Sequence, residues 1–257
     1  MTTDEPTNAW DADGYQDGHA FVFEYGSGVL ELLEVDPGAR VLDLGCGTGE
    51  LTAAIADREV CVVGMDQSEA MLETARETYP KLQFVHGDAR ELGVDEPFDA
   101  VFSNAMLHWV PRADQGRLAA SVRAALADDG QFVAEFGGAG NVGGIVGALR
   151  AEGTERGVEV DNPWYFPTIG EHTSLLETHG FEVVYATLFD RPTPLEGGAD
   201  GLRNWLEMFG DSLLEAFPAD EREEVYAGVE ERLRDTHYED GTWTADYRRL
   251  RFVANAV

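Results

Sequence analysis

The chain has little positive charge. It contains 49 Asp plus Glu against 18 Lys plus Arg, Lys81 is its single lysine, and its formal net charge is −31 at pH 7. A nucleic-acid-binding surface needs a basic stripe that neutralises phosphates, and the nearest approach to one is the short run Tyr247-Arg-Arg-Leu-Arg251. The composition therefore argues against a DNA or RNA partner.

The acidic residues are spread along the whole chain and are not gathered in blocks. Such a surface repels itself in dilute solution, but the Debye length falls to about 3 Å in about 1 M salt, where this repulsion is largely screened. A surface made for one basic partner would instead carry clustered acids. We therefore expect a halophilic protein that works in a salt-rich cytoplasm.

Cysteine and long apolar segments are also scarce. Both cysteines, Cys46 and Cys61, lie in apolar or glycine-rich contexts, which favours buried reduced thiols over a disulfide framework or a zinc site. No apolar run approaches the roughly 20 residues that span a bilayer, and the N-terminus is acidic and polar. The expectation is a soluble, unexported protein with neither a metal nor a membrane partner.

Strand and helix patterns alternate along the first part of the sequence. Residues 40–44 and 60–65 are apolar runs typical of buried strands, and residues 51–57 between them have helical periodicity. Further strands are predicted at 82–86, 98–103 and 131–136, and further helices at 69–78 and 113–127. This repetition predicts a doubly wound, mostly parallel α/β sheet.

The last part of the chain has a different pattern. Helices are predicted up to about residue 157 and at 169–178, and strands at 181–189 and 246–256. Between those two strands, residues 192–241 have a helical pattern that breaks at Phe217-Pro218. The sequence therefore predicts a helical cap inserted between the last two strands.

A glycine-rich loop, Val41-Leu-Asp-Leu-Gly-Cys-Gly-Thr-Gly-Glu50, joins the first strand to the first helix. Open α/β sheets bind ligands there, because glycine lets backbone amides approach the ligand at a helix N-terminus. A dinucleotide fingerprint would need glycine where this chain has Glu50. Carboxylates suit a cation, and S-adenosylmethionine (SAM) has a sulfonium and an ammonium group that Asp43 could bind.

An acidic residue also ends the second strand. Asp66 follows Asp43 by 23 residues, where nucleotide-binding folds place a carboxylate on the ribose hydroxyls. Asp66 alone does not distinguish SAM from NAD. A nicotinamide-dependent oxidoreductase, which Glu50 disfavours, and a non-catalytic SAM-binding domain therefore stay open as alternatives.

Four ordered motifs together resemble the class I SAM-dependent methyltransferases. They are Asp43-Leu-Gly-Cys-Gly-Thr-Gly49, Asp66-Gln67, Gly87-Asp-Ala89 and Phe98-Asp-Ala-Val-Phe-Ser-Asn-Ala105. The segments 103–110 and 247–252 are further similar to trans-aconitate methyltransferases and their relatives. The resemblance implies a Rossmann-like seven-stranded sheet with a helical cap. It also implies methyl transfer from SAM to a small molecule, with carboxyl O-methylation of a small organic acid as the preferred reaction.

The resemblance also assigns the cofactor contacts. The methionine moiety would contact Asp43, Gly45 and Gly47, and the ribose would contact Asp66 and Gln67. Adenine would contact Asp88 and Ala89, and the methionine carboxylate or ammonium group would contact Asn104. Cys46 in the glycine loop and Tyr15, which would close over the cofactor, complete the predicted set. The chain is predicted to have three parts: an N-terminal helical segment that covers the cofactor (residues 1–37), a SAM-binding methyltransferase domain (residues 38–190 with 246–257) and an inserted helical cap (residues 191–245).

Candidates for the acceptor site follow the fourth strand or lie farther along the chain, after the fifth strand and in the last strand. His108 and Trp109 stand at the sheet edge where substrates bind, and His108 is either a general base or a residue that shapes the pocket. Trp164 and Tyr165 could form a lid or pack the cap. The other candidates are Arg248, which could clamp an anion or pair with an acidic neighbour, and Asn141, where the sequence departs from the trans-aconitate enzymes. The identity of the acceptor and the oligomeric state stay open.

Overall fold

The computed structural model describes residues 28–257. Tyr15 and most of the predicted N-terminal helical segment lie outside the described residues. The first half of the described chain alternates strands and helices as predicted. Its elements are β1 (Arg40–Leu44), α1 (Glu50–Ala56), β2 (Cys61–Asp66), α2 (Glu69–Thr78), β3 (Gln83–His86), β4 (Phe98–Asn104), α3 (Gln115–Ala125) and β5 (Leu126–Gly137).

The second half begins with helices and ends with the last long strand. Its elements are α4 (Gly143–Arg156), α5 (Ile169–Thr178), β6 (Phe181–Pro194), α6 (Gly201–Phe209), α7 (Asp211–Leu214), α8 (Arg222–His237), β7 (Tyr238–Glu239) and β8 (Thr242–Ala256). Helix α5 has the predicted bounds, and three helices follow β6 where the cap was expected. Within residues 28–257, no helix combines the length and the apolar composition needed to cross a membrane.

The strands form one sheet in the order β3-β2-β1-β4-β5-β8-β6, and β7 pairs with β8. The pairs β1–β2, β1–β4, β2–β3 and β4–β5 are parallel, so the sheet grows outward from β1 in both directions as a doubly wound fold. The expected seven strands omitted β7. Asp240 and Gly241, with φ of 49° and 85°, form a tight turn that folds β7 back on the start of β8. Strand β7 of this local hairpin is the eighth strand of the sheet.

The central strands are buried on both faces. Leu42, Val101 and Phe132 belong to one apolar cluster, whereas Val41, Phe102 and Val133 belong to another. Successive side chains of a strand point to opposite faces, so neighbours such as Val41 and Leu42 enter different clusters. Each fully buried side chain of this size contributes roughly 1.5–3 kcal/mol to folding. The continuous apolar strands of the sequence follow from this two-sided burial.

The described chain divides into two compact units. The sheet unit consists of residues 28–138, 165–188 and 250–257, and the second unit consists of residues 139–164 and 189–249. In the second unit, the buried Glu152 of α4 pairs with Arg156 and with Arg232 of α8. A side chain at Gly228 would collide with the Glu152 carboxylate, so glycine makes room for this ion pair.

The prediction that both thiols are buried is wrong for one of them. Cys46 is buried, but Cys61 is exposed. Cys61 is the first residue of β2, where the alternation of the strand buries Val62 and Gly64 and turns the first side chain toward solvent.

Candidate active site

The glycine loop between β1 and α1 is shaped by left-handed backbone. Gly45, Gly47 and Gly49 have φ of 76°, 53° and 90°, which favours glycine. A Cβ atom at Gly45 would lie 2.3 Å from Met106 Cγ, and one at Gly49 would lie 2.8 Å from Phe84 Cζ. At Gly47, by contrast, a Cβ atom would meet nothing within 4 Å. Packing thus requires glycine at Gly45 and Gly49, whereas Gly47 faces open space.

The carboxylate of Asp43 is buried at the end of β1, with 1% of the residue exposed. Burial raises its pKa from 3.8 to about 7, a hydrogen bond from the Thr52 hydroxyl opposes the rise, and the nearby charges of Asp66 and Glu50 add to it. Thr52 Oγ1 donates to Asp43 Oδ2 at 2.6 Å. A positively charged group held against Asp43 would favour its ionised form, so the residue fits the ammonium group of SAM.

Asp66 fixes the glycine loop as well as ending β2. Its Oδ2 accepts from the Gly47 backbone N–H at 3.0 Å, and its Oδ1 accepts from the Ser68 N–H at 2.8 Å. Burial raises the pKa of Asp66, and these two hydrogen bonds oppose the rise. Each carboxylate oxygen keeps a further lone pair, so the bonds leave capacity for ribose hydroxyls. The sequence showed the position of Asp66 but not its bond to the loop.

The second predicted ribose contact, Gln67, follows β2, and the predicted adenine contacts, Asp88 and Ala89, follow β3. Gln67 is exposed, and its carbonyl oxygen lies 3.0 Å from His86 Nε2. Asp88 accepts hydrogen bonds from the Arg90 guanidinium at 2.7–3.0 Å, and these bonds hold the pKa of Asp88 below its ordinary value. Ala89 packs against the core of the sheet unit. Asp88 therefore has a structural partner, Arg90, that the sequence analysis did not identify.

Asn104 ends β4 opposite Glu135 of β5. The next residue, Ala105, has φ of 58° and donates its N–H to the Glu135 carbonyl at 2.7 Å. The Glu135 side chain is buried and forms a 2.6 Å ion pair with Arg251, which also donates to the Gly28 carbonyl at 2.9 Å. Sequence reasoning missed this pair, although a lone glutamate inside the apolar β5 was a visible signal.

His108 is 7% exposed and lies in a short 3-10 turn, Leu107–Trp109. Its Nδ1 accepts from the Gly137 N–H at 3.4 Å, and its carbonyl accepts from the Tyr165 N–H at 3.0 Å. The Trp109 ring lies 5.3 Å from the His108 ring. Because Nδ1 accepts a hydrogen bond, the proton of the neutral ring belongs on Nε2. This arrangement favours the pocket-shaping alternative over the general base.

Tyr165 is part of the core of the sheet unit, with 1% of the residue exposed. Its hydroxyl lies 3.3 Å from His172 Nδ1, and the Arg112 guanidinium lies 4.9 Å from the centre of its ring. Burial raises the pKa of Tyr165 to about 12, against the opposing charge of Arg112. Of the two alternatives that the sequence left open, packing therefore describes Tyr165 better than a lid does.

Trp164, Asn141 and Arg248 belong to the second unit. The Trp164 ring meets that of Trp205 edge-on, with 6.2 Å between the centroids. Asn141 Oδ1 accepts from the Arg248 N–H at 2.8 Å, which joins the loop before α4 to β8. Arg248 Nε lies 3.1 Å from Asp190 Oδ1. Arg248 thus has the acidic neighbour that the sequence analysis weighed against an anion clamp.

Comparisons with known proteins agree with this geometry. A family model described as a methyltransferase domain matches residues 41–130, from β1 into β5. The uncharacterized methyltransferase C70.08c of Schizosaccharomyces pombe is 36% identical over 264 residues, covering 97% of this chain and 99% of the relative. A trans-aconitate 2-methyltransferase of Variovorax paradoxus (strain S110) is 29% identical, covering 88% of this chain and 90% of that protein.

The fold is also found in solved structures. A crystal structure from Bacillus halodurans C-125, assigned as a methyltransferase, superposes with a TM-score of 0.63 at 19% identity. The superposition covers 90% of this chain and 98% of that one. The match to the fission-yeast relative extends over nearly the whole of both chains, beyond the segment that the family model covers. The chain therefore belongs to the SAM-dependent methyltransferase family.

Proposed function

We propose that this protein transfers a methyl group from SAM to a carboxylate of a small organic acid. The observation that carries the cofactor half of this proposal is the buried Asp43 carboxylate in the strand that leads into the glycine loop, together with the open space at Gly47 of that loop. The acceptor half is supported by the similarity to a trans-aconitate 2-methyltransferase over most of both chains. The proposed acceptor is a small molecule, and neither nucleic acid nor membrane is a proposed partner.

Residues of the glycine loop and the neighbouring strand ends would hold the cofactor. Asp43 suits the ammonium group, because a buried carboxylate gains most from a cationic partner. Asp66 suits the ribose hydroxyls, and its bond to the Gly47 N–H keeps the loop in place. When bound, SAM supplies a methyl group on a positively charged sulfur, which leaves as a neutral thioether.

The protein's own contribution to the reaction would be positioning. Methyl transfer is an in-line displacement, and holding the two reacting groups in line at near-contact distance lowers its barrier. A carboxylate acceptor is already ionised at neutral pH and needs no base. We therefore assign His108 to pocket shaping, in agreement with its hydrogen bond from the Gly137 N–H.

The test is methyl transfer from radiolabelled SAM to a panel of small organic acids at multimolar KCl. We expect a labelled product that alkali releases as methanol, because a methyl ester is labile to base and methyl groups on nitrogen or ether oxygen are not. Label that appears only on added protein or nucleic acid would refute the proposal. Alkali-stable label on a small molecule would keep the methyltransferase and refute carboxyl methylation.

We also propose that the enzyme works in a salt-rich cytoplasm. The support for this proposal is the formal net charge of −31 and the spread of acidic residues along the chain. A surface of this kind is best tolerated where salt screens it.

A further inference from the structure

Two acidic residues of the sheet unit stand where β2 and β3 end, and their carboxylates are used differently. Asp66 ends β2, and Asp88 comes shortly after His86, the last residue of β3. The two strands are parallel and pair Asp66 with His86, so both carboxylates belong to the same edge of the sheet. The resemblance to methyltransferases assigns the ribose to Asp66 and adenine to Asp88. A carboxylate can bind a ligand donor only through an oxygen lone pair that is still open.

The Asp66 carboxylate keeps such positions. The Gly47 N–H binds its Oδ2 at 3.0 Å, and the Ser68 N–H binds its Oδ1 at 2.8 Å. An ionised carboxylate oxygen has two lone pairs, so these bonds use one lone pair of each oxygen. The other lone pair of each oxygen can accept a hydroxyl group of the ribose.

Arg90, by contrast, already occupies both oxygens of Asp88. Oδ1 accepts from the Arg90 backbone N–H at 2.8 Å and from Arg90 Nε at 3.0 Å. Oδ2 accepts from Arg90 Nε at 2.9 Å and from Arg90 Nη2 at 2.7 Å. These contacts use both lone pairs of each oxygen. An amine brought to Asp88 would therefore meet a carboxylate that Arg90 has saturated.

A second acid holds the Arg90 guanidinium in this position. Arg90 Nη1 donates to Asp114 Oδ2 at 3.0 Å, and Asp114 ends the short 3-10 turn that leads into α3. Arg90 thus ties the loop after β3 to the segment before α3. Only 18% of the Arg90 side chain is exposed. A partly buried guanidinium between two carboxylates is held firmly, because moving it would leave both acids without their charge-assisted bonds.

We propose that Arg90 is a specificity-determining residue of the cofactor site, because it withholds the Asp88 carboxylate from the base of the nucleoside. The site would then bind purine nucleosides that lack the exocyclic amine of adenine about as well as those that carry it. Asp66 would still bind the ribose, and Asp43 would still bind the ammonium group. The identity of the ligand as a SAM-type nucleoside rests on the proposed function.

The experiment compares two ligands by calorimetry at multimolar KCl. One is S-adenosylhomocysteine, and the other is its 6-deamino analogue, in which hydrogen replaces the amine of adenine. For wild type we expect affinities that agree within about threefold, because no charge-assisted hydrogen bond is lost with the amine. The readout is the ratio of the two affinities. A general loss of stability does not move this ratio, because the ligands share every other group.

Arg90→Met is the decisive variant. It removes the guanidinium but keeps the backbone N–H and a long side chain, so it opens Oδ2 of Asp88 to a ligand. The ratio should then rise to roughly ten- to a hundredfold in favour of S-adenosylhomocysteine, since a hydrogen bond to a charged group contributes about that much to affinity. Adding Asp88→Ala to Arg90→Met should return the ratio to the wild-type value.

Arg117→Met is the matched control. Hydrogen bonds from Arg90 lower the pKa of Asp88 most, and the nearby charge of Arg117 lowers it least. The Arg117 guanidinium binds Glu91 at 2.7 Å. Loss of this charge alone should leave the ratio of affinities unchanged.

Arg90→Lys covers the case in which the methionine variant fails to fold. Lysine keeps the charge but lacks the planar fork that binds both oxygens of Asp88, so the ratio should rise by roughly fivefold. A wild type that prefers S-adenosylhomocysteine by about tenfold or more overturns the inference. A folded Arg90→Met variant with the wild-type ratio overturns it as well.

The same measurements separate this inference from the proposed function. A wild type that binds neither nucleoside refutes the cofactor half of the proposed function and the inference with it. A large preference for the amine leaves the cofactor in place and refutes the inference alone. Equal binding of both nucleosides, without methyl transfer to any organic acid, sustains the role of Arg90 and overturns the proposed acceptor.

Discussion

The Asp43 carboxylate links cofactor binding to pH at the scale of a single residue. Its pKa in the folded protein is about 7, raised from 3.8 by burial. Between those values the folded state holds a proton on Asp43 that the unfolded state releases. Above about pH 7 the ionised Asp43 therefore lowers the free energy of unfolding, and this destabilisation disappears as the pH falls from 7 toward 3.8. A cationic ligand bound at Asp43 offsets the same destabilisation.

We predict that binding of S-adenosylhomocysteine, which carries the ammonium group, weakens as the pH falls below 7. The loss should reach up to about tenfold per pH unit, because the ligand then displaces a proton from Asp43. Calorimetry in two buffers with different ionisation enthalpies measures the released proton. Asp43→Asn should bind weakly at every pH and release no proton. An affinity that is constant across neutrality would contradict the assignment of Asp43 to the ammonium group.

His172 gives stability the opposite dependence on pH. It is 1% exposed, and burial lowers its pKa from 6.5 to about 3. Below pH 6.5 the unfolded chain binds a proton that the folded chain resists, so the stability that depends on neutral His172 is lost as the pH falls toward 3.

We predict that, as the pH is lowered below 6.5, the free energy of unfolding decreases less steeply for His172→Gln than for wild type. The difference should be up to about 1.4 kcal/mol per pH unit below pH 6.5, because glutamine does not titrate. Urea unfolding at several pH values in high salt measures it. Both proteins contain Asp43, so its contribution to the pH dependence of stability cancels in the comparison. Parallel curves below pH 6.5 would show that His172 is not the titrating group, and above that pH the curves should run parallel in any case.

At the scale of elements, local signals placed most helices and strands, whereas pairing set their ends. Ser68 caps α2 by accepting from the Met71 N–H at 3.4 Å, as the sequence indicated. Strand β5 was predicted over residues 131–136 but extends over Leu126–Gly137. Of the added residues, Leu126 pairs with Phe98 of β4, and an irregularity in register separates this pair from the next, Ala100 with Gln131. A partner strand distant in sequence thus lengthened this element.

The β7–β8 hairpin yields a prediction at this scale. Both turn residues, Asp240 and Gly241, have positive φ, which is the geometry of a type I′ turn. Gly241→Ala should destabilise the protein by roughly 1–2 kcal/mol, since a Cβ atom disfavours left-handed backbone. Nothing lies within 4 Å of the position of that Cβ, so the loss would report backbone strain and not a clash.

Asp240→Asn is the matched control for the hairpin. Asparagine tolerates the left-handed conformation as well as aspartate does, so this variant should keep wild-type stability. Chemical denaturation of both variants measures the difference. Equal stability of Gly241→Ala and Asp240→Asn would show that the turn does not constrain the fold.

At the scale of the whole molecule, the dominant property is a formal net charge of −31. We predict that the melting temperature rises with KCl concentration and that most of the rise occurs below about 1 M. Over that range the Debye length falls from about 10 Å at 0.1 M to about 3 Å, so repulsion between surface carboxylates is progressively screened. Scanning calorimetry at increasing KCl concentration measures the effect.

Sucrose distinguishes screening from other effects of concentrated solutes. It strengthens apolar burial but does not screen charge, so it should stabilise the protein less than KCl does at low ionic strength. A melting temperature that is insensitive to KCl would contradict the proposal that the charge suits a salt-rich cytoplasm.

The sequence by itself determined the alternating α/β order, the glycine loop and the acidic strand ends. These features depend on hydrophobic periodicity, capping and turn chemistry, which act between residues close together in the chain. Asp43 and Asp66 could be named for this reason, because each ends an apolar strand beside a loop.

Only the tertiary structure decided the partners of those residues and of the candidate acceptor site. Asp66 binds the Gly47 N–H, and Tyr165 enters the core. Arg248 pairs with Asp190, whereas Arg249 lies over the Tyr247 ring. Such contacts join segments far apart in sequence, and their geometry follows from which face of a strand is buried. A one-residue shift along a strand turns a side chain to the opposite face, and a short sequence pattern does not fix that choice for two adjacent arginines.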